Sequence, residues 1–416
     1  MRLSPREAIS SMGLKLAQVS VLSLAFAIPF STALDNILLV LLLVAGITAF
    51  ARAYWENLRH HPVARANVLL FAALMIGCLY GAASASQAIS MLAKYIDLAF
   101  VPLLIAVFAQ EKLREWAWKI FLSSMVMTAL LSWAVTIGLL PVQGWMWEAT
   151  SIENPAIFRS SITQNVFMSY AAYIFVLRSY SAVTVKYCWI YAALAILTAS
   201  SVLFLVQGRS GYLILLFITF LFIFRFAESR RGKLKIPHLV AILLVLPVVL
   251  WGMYEAIPRL HQRVDVTIKE YQAWHPHALQ STSIGERMEF YYNTATIINE
   301  HPLLGVGTGG FSLVYAQQAA KYGANTTNNP HSEYLHLTVQ LGIIGAALFL
   351  YLIYMQWRNA GQLKDKQAGD AAAGLALTLM VTSLFNTPLM DHTEGLFFAY
   401  MSALCFSSLK QKVQHA

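Results

Sequence analysis

Residues 325–345 read NTTNNPHSEYLHLTVQLGIIG. A polar, turn-rich run, Asn328-Asn329-Pro330, stops at His331, and an apolar helical pattern carrying Gly342 and Gly345 starts within a few residues. That is how a loop looks where it dives into a membrane span, and here a titratable imidazole stands at the point of entry. His336 is the other histidine of the stretch. It lies about one and a half turns deeper and, at about 3.6 residues per turn, points to a different face.

The rest of the chain agrees with a span at this place. Its 416 residues are 58% hydrophobic and only 12% charged, with a mean hydropathy of +0.59. Soluble proteins carry roughly 25% charged residues. Apolar runs of about 17–25 residues recur, the length that crosses a bilayer core. The alternating segments of about ten residues that a β-barrel needs are absent. The predicted fold is all-α, a polytopic integral membrane protein with about 12 transmembrane helices. Nine of these spans are expected in residues 1–254, a helical loop in 255–333 and three more spans in 334–416. Among them are a short one at Ile37–Phe50 and others at Ala88–Gln110, Pro237–Tyr254 and Tyr334–Trp357.

A net charge of +9 raises the question of nucleic acid. The lysines and arginines answer it by clustering in short loops, such as Arg52/Arg59/Arg65 and Arg225/Arg230/Arg231, as the positive-inside rule expects for a protein whose surroundings are membrane lipids. No nucleic-acid partner is expected. The rule places both termini in the cytoplasm, and MRLSPREAIS then opens a first span rather than a cleavable leader. Cys78, Cys188 and Cys405 each sit inside an apolar run and suggest neither disulfide nor metal. Segments 140–163, 207–210, 255–333 and 388–394 fall on the opposite, external face.

The external segment 255–333 is too structured for a linker. Ser283-Ile284-Gly285-Glu286 fits a capping box before a helical run to about Asn299. His301-Pro302 ends that run. The glycine cluster Gly305–Gly310 follows, then a second run, Phe311–Tyr322, closed by Gly323. Pro258–Trp274 is amphipathic and suits a membrane surface. Together they predict a helical lid over the external ends of the spans. The glycine cluster lacks the preceding strand and following Lys-Ser/Thr of a P-loop, so it reads as a tight turn.

Few cations face outward, and each one asks for a reason. Arg209, in Gln207-Gly208-Arg209-Ser210-Gly211, is pinned between two spans with almost no loop. A guanidinium there either snorkels to lipid or meets an anion, and its planar fork suits phosphate. Arg287 lies in the first turn of the capped lid helix, where a surface ion pair with Glu286 or Glu289 is the plain alternative. Arg159 sits just above a span in the same way as Arg209. Lys94, Tyr95 and Asp97 fall near the external end of the fourth span, and a Lys94–Asp97 contact competes with a functional role. Asp391 and His392 form a polar pair in the last external turn, where a solvated turn is the plain reading and orienting a sugar or another histidine the functional one. No carboxylate cluster with metal-ligand spacing is evident, so neither metal nor other cofactor is expected. Two or three arginines and one histidine beneath a lid suit a diphosphate leaving group displaced by a hydroxyl that histidine deprotonates.

Three motifs carry a resemblance. Gly208-Arg209-Ser210-Gly211 precedes a span. Arg287 is followed by Asn299-Glu300-His301-Pro302-Leu303-Leu304-Gly305-Val306-Gly307. His331-Ser332 is followed, after nine residues, by Gly342-Ile343-Ile344-Gly345. In these the chain resembles the O-antigen ligase family, within the wider ligase and polymerase superfamily of membrane glycosyltransferases. The resemblance implies transfer of a glycan from undecaprenyl diphosphate to a sugar hydroxyl of lipid A-core, at the periplasmic face of the bacterial inner membrane, without ATP or metal and with inversion. It implies that His331 is the base, and that Arg209 and Arg287 hold the diphosphate with Arg159 as a third. Lys94, Tyr95, Asp391 and His392 remain possible substrate contacts. A polymerase or a protein O-oligosaccharyltransferase of the same superfamily differs mainly in acceptor. A lipid-linked sugar transporter would call for inverted repeats, which are not evident.

Overall fold

The computed structural model describes residues 5–231, 251–252, 254–255, 258–277 and 282–409. The regular structure of these residues is all helical, with no strand among them. In order come α1 (Pro5–Ala27), α2 (Thr32–Ala45), α3 (Ala51–His60), α4 (Pro62–Gly77), α5 (Ala85–Lys94), α6 (Asp97–Val107), α7 (Glu111–Thr136), α8 (Ser161–Tyr180), α9 (Val185–Ser200) and α10 (Arg209–Arg231). Then follow α11 (Pro258–Ala273), α12 (Ser283–Glu300), α13 (Phe311–Ala320), α14 (Glu333–Ala360), α15 (Lys366–Phe385) and α16 (His392–Phe406). Among the described residues six helical stretches are long and apolar enough to cross a membrane, and three shorter apolar helices accompany them. The chain is a multi-pass membrane protein. The span expected at Pro237–Tyr254 lies almost wholly outside the described residues.

The helices sort their faces as a bundle in lipid requires. On α2, Leu38, Leu42 and Ala45 are buried while Ile37, Val40 and Val44 point outward. The outward stripe is as apolar as the inward one, which makes sense only against hydrocarbon. α16 is buried along nearly its whole length and forms the centre of the bundle. It packs against α6 and α15, with Phe397 against both Phe121 and Phe167.

Three spans differ from expectation. The short span at Ile37–Phe50 is the apolar middle of one helical stretch, Thr32–His60, which runs through a wider π turn at Gly46–Phe50. The fourth span is broken at Tyr95–Ile96 into α5 and α6. The tenth, α14, is not continuous either: Gly342 takes φ 64°, ψ −151° in mid-helix. A Cβ at Gly342 would fall on the Leu303 carbonyl, so only glycine allows the lid this close. The break at Gly342 makes a socket for the lid.

The glycine cluster of the lid fills that socket. Val306 and Gly307 N–H donate to the carbonyls of Val339 and Gln340 at 2.9 Å each, and Ile343 N–H donates to Pro302. Thr308 N–H donates to Gly77 O at 3.0 Å, tying the same loop to the end of α4. Backbone groups freed by the break in α14 are thus satisfied by the lid. Phe290, Ile297, Phe311 and Tyr315 close a small core beneath it with Val339 of α14. The first lid helix is capped one residue earlier than the sequence suggests, by the Thr282 hydroxyl accepting from Gly285 N–H.

Candidate active site

His331 ends the loop and has φ 55°, the left-handed region that a residue with a Cβ enters at a cost. Its N–H donates to Asn329 Oδ1 at 2.7 Å, an Asx turn that Thr327 supports by donating to Asn329 O at 2.8 Å. The His331 carbonyl accepts from the Tyr291 hydroxyl at 3.1 Å, which is shared with Leu384 O at 3.2 Å. The ring stacks on Phe290 at 5.9 Å between centroids. Among the described residues neither ring nitrogen has a hydrogen-bond partner. The backbone is held from all sides and the imidazole is left open.

Arg287 lies one helical turn before Phe290 and Tyr291, on the same face of α12. The alternative use of Arg287 in a surface ion pair is not taken up. Glu286 accepts from Asn325, and Glu289 accepts from the His277 N–H and Asn293. Arg287 has no ion pair among the described residues. Burial lowers the pKa of His331 below its ordinary value, the Arg287 charge lowers it further, and Glu286 opposes them. The lowered pKa favours the neutral imidazole, the form that accepts a proton.

Arg287 also lines a cleft of about 720 Å³ between α12, α11 and the turn before α10. Gly208 and Ser210, the neighbours of Arg209, also line it, with Ser161 and Tyr212. Much of the remaining wall is apolar and includes Phe204 and Leu205, which a π turn at Ser201–Leu205 presents, and Ile268 of α11. The Arg209 side chain lies outside the described residues, but its backbone begins α10. Its turn is firmly tied. Asn165 Nδ2 donates to Val206 O at 3.2 Å, and Gln207 N–H donates to Asn154 Oδ1 at 2.8 Å. Asn165 and Asn154 were not singled out from the sequence. Nothing local marks an asparagine that braces a turn 41 residues away.

The other expected residues go elsewhere. Arg159 is buried, donating to Asp35 Oδ2 at 3.0 Å and to Ile28 O at 2.9 Å, so its fork is occupied by the α1–α2 turn. Lys94 is exposed at the end of α5. The Lys94–Asp97 contact is not formed among the described residues; Asp97 faces His392 Nδ1 at 3.4 Å instead. Asp391 caps α16, accepting from Thr393 and Glu394 N–H. Tyr95 is fully buried, its hydroxyl 2.9 Å from both Glu333 Oε1 and His336 Nδ1. Tyr95 is not among the residues that line the cleft.

Residues 194–350 match the family model described as O-Antigen ligase. A protein named putative polysaccharide ligase from Rickettsia conorii is 30% identical over 90 residues, which are 20% of this chain and 22% of that protein. The chain thus spans less than a quarter of this curated relative in the match. The resemblance to the O-antigen ligase family is borne out over residues 194–350, the segment that holds Arg209, Arg287, His331 and Gly342.

Proposed function

We propose that this protein is an O-antigen ligase, transferring a glycan from undecaprenyl diphosphate to a sugar hydroxyl of lipid A-core at the periplasmic face of the inner membrane. The observation that carries the reading is the position of Arg287. It stands one turn from the two residues that hold His331, on the wall of the cleft that the Arg209 turn closes. His331 Nε2 or Nδ1 takes the proton of the acceptor hydroxyl as its oxygen bonds the anomeric carbon. The bond from that carbon to the diphosphate oxygen breaks on the opposite face, which inverts the centre. Arg287 and Arg209 stabilise the departing charge by paired, charge-assisted hydrogen bonds. The apolar wall of the cleft suits the prenyl chain. Arg159 is held by Asp35 and Ile28 O two residues before Ser161 of the cleft wall, and Asp391 and His392 lie at the same end of the bundle.

The deciding experiment is a reconstitution with purified lipid-linked donor, offering lipid A-core, a peptide and a second lipid-linked glycan as rival acceptors. Transfer to lipid A-core is expected. Preference for the peptide, or for the second glycan, would assign the chain to an oligosaccharyltransferase or a polymerase instead.

A further inference from the structure

Glu333 is the first residue of α14, two places after His331, and it is fully buried. A carboxylate at the mouth of a span is costly unless it is put to use. Its Oε1 accepts from the Tyr95 hydroxyl at 2.9 Å, and its Oε2 accepts from Leu389 N–H at 2.9 Å. Its own N–H donates to Asn386 O at 3.0 Å. One side chain and its amide therefore tie the start of α14 to the break between α5 and α6 and to the turn before α16. The chain of contacts continues from Tyr95 to His336 and, through Gln340, whose Oε1 accepts from Gly309 N–H at 2.9 Å, into the lid.

These ties bear on His331. A left-handed conformation at a residue with a Cβ is strained and persists only where the surroundings over-determine it. On the lid side the determinants are Asn329, Tyr291 and Phe290. On the membrane side they are Ser332, donating to Ser383 O at 3.2 Å, and Glu333. Of the two, only Glu333 ties α14 to more than one place, the α5–α6 break and the turn before α16.

We propose that Glu333 is a positioning residue for His331, fixing the entry of α14 through Tyr95 and Leu389 so that the imidazole meets the acceptor hydroxyl. This rests on His331 acting as the base. A loss of about 1 Å in placement costs about 100-fold in rate. Glu333→Leu is expected to lower kcat by about 30- to 100-fold with the donor KM within about twofold of wild type. Its residual rate also loses the dependence on pH that His331 imposes. Glu333→Gln rescues to within about threefold, because the amide oxygen still accepts from Leu389 while its NH₂ donates to Tyr95, whose hydroxyl then donates to His336. A bundle staple without a catalytic consequence would lower the yield of folded protein and leave kcat and the pH profile of what folds unchanged.

The measurement is the initial rate of transfer in vesicles against donor concentration and pH, for both variants, Tyr95→Phe and His331→Ala. If Glu333→Leu does not fold, Tyr95→Phe decides: it keeps the shape, removes the shared hydroxyl, and is expected to lose about tenfold in kcat. A folded Glu333→Leu or Tyr95→Phe with wild-type kcat, beside an inactive His331→Ala, overturns the positioning role alone. A fully active His331→Ala overturns the base itself.

Discussion

Two histidines five residues apart are treated in opposite ways. His331, at the mouth of the lid, has a fastened backbone and a ring without a hydrogen-bond partner among the described residues. His336, inside the bundle, is fully buried, with its ring on Tyr95 and its Nδ1 2.9 Å from the Tyr95 hydroxyl. A ring left open on a fixed backbone is poised to exchange a proton. A ring enclosed by partners is part of the scaffold. The difference lies in what surrounds each residue, since the chemistry of the side chains is the same.

Exchanging the roles by mutation separates the two. His331→Ala is expected to remove about 10²- to 10⁴-fold of transfer, the range of a general base, with little change in thermal stability. His336→Leu is expected to do the reverse. It removes one of the two partners of the Tyr95 hydroxyl, which keeps Glu333, and so costs about 1 kcal/mol in stability, while protein that folds keeps most of its rate. Rates and melting temperatures of the two variants in one detergent check both halves. Equal losses of rate would erase the contrast.

Arg287 sharpens the comparison, because it acts on one histidine only. Arg287→Ala is expected to lower transfer by about 10²-fold through the lost hold on the leaving group. Arg287→Lys keeps the charge but loses the bidentate fork, so it falls between. Gly342→Ala tests the socket. The added Cβ meets the Leu303 carbonyl in a left-handed backbone, and a loss of about 1–3 kcal/mol with faster proteolysis of the lid is expected. Smallest is Tyr291→Phe, which drops the hydrogen bond to the His331 carbonyl. A cost of about 1 kcal/mol and a few-fold lower kcat are expected.

The parts of this arrangement that the sequence makes legible are local. A polar turn running into an apolar helix marks the mouth at His331, and cations in an external segment mark Arg209 and Arg287. What stays hidden is pairing over distance. Tyr95 and Glu333 are 238 residues apart, and Arg159 and Asp35 are 124 apart. In a span each reads only as a costly polar residue, and whether it faces a substrate or a buried partner is settled by packing. Gly342 misleads for a related reason. A glycine in an apolar helix usually lets another helix approach, whereas this one lets a loop dock into a break.

The most direct test of the central claim is the pH dependence of transfer by the purified protein in vesicles. Burial, and then Arg287, disfavour the charged form of His331 and hold its pKa below the ordinary value. Lowering the pH through that depressed pKa protonates the base, so the rate falls on the acid side and is level near neutrality. Arg287→Ala removes one cause of the lowering, so the acid limb of its remaining activity moves to higher pH. In His331→Gln the residual rate carries no such limb. An acid limb that stays in place in His331→Gln would show that another group takes the proton, and would contradict the account.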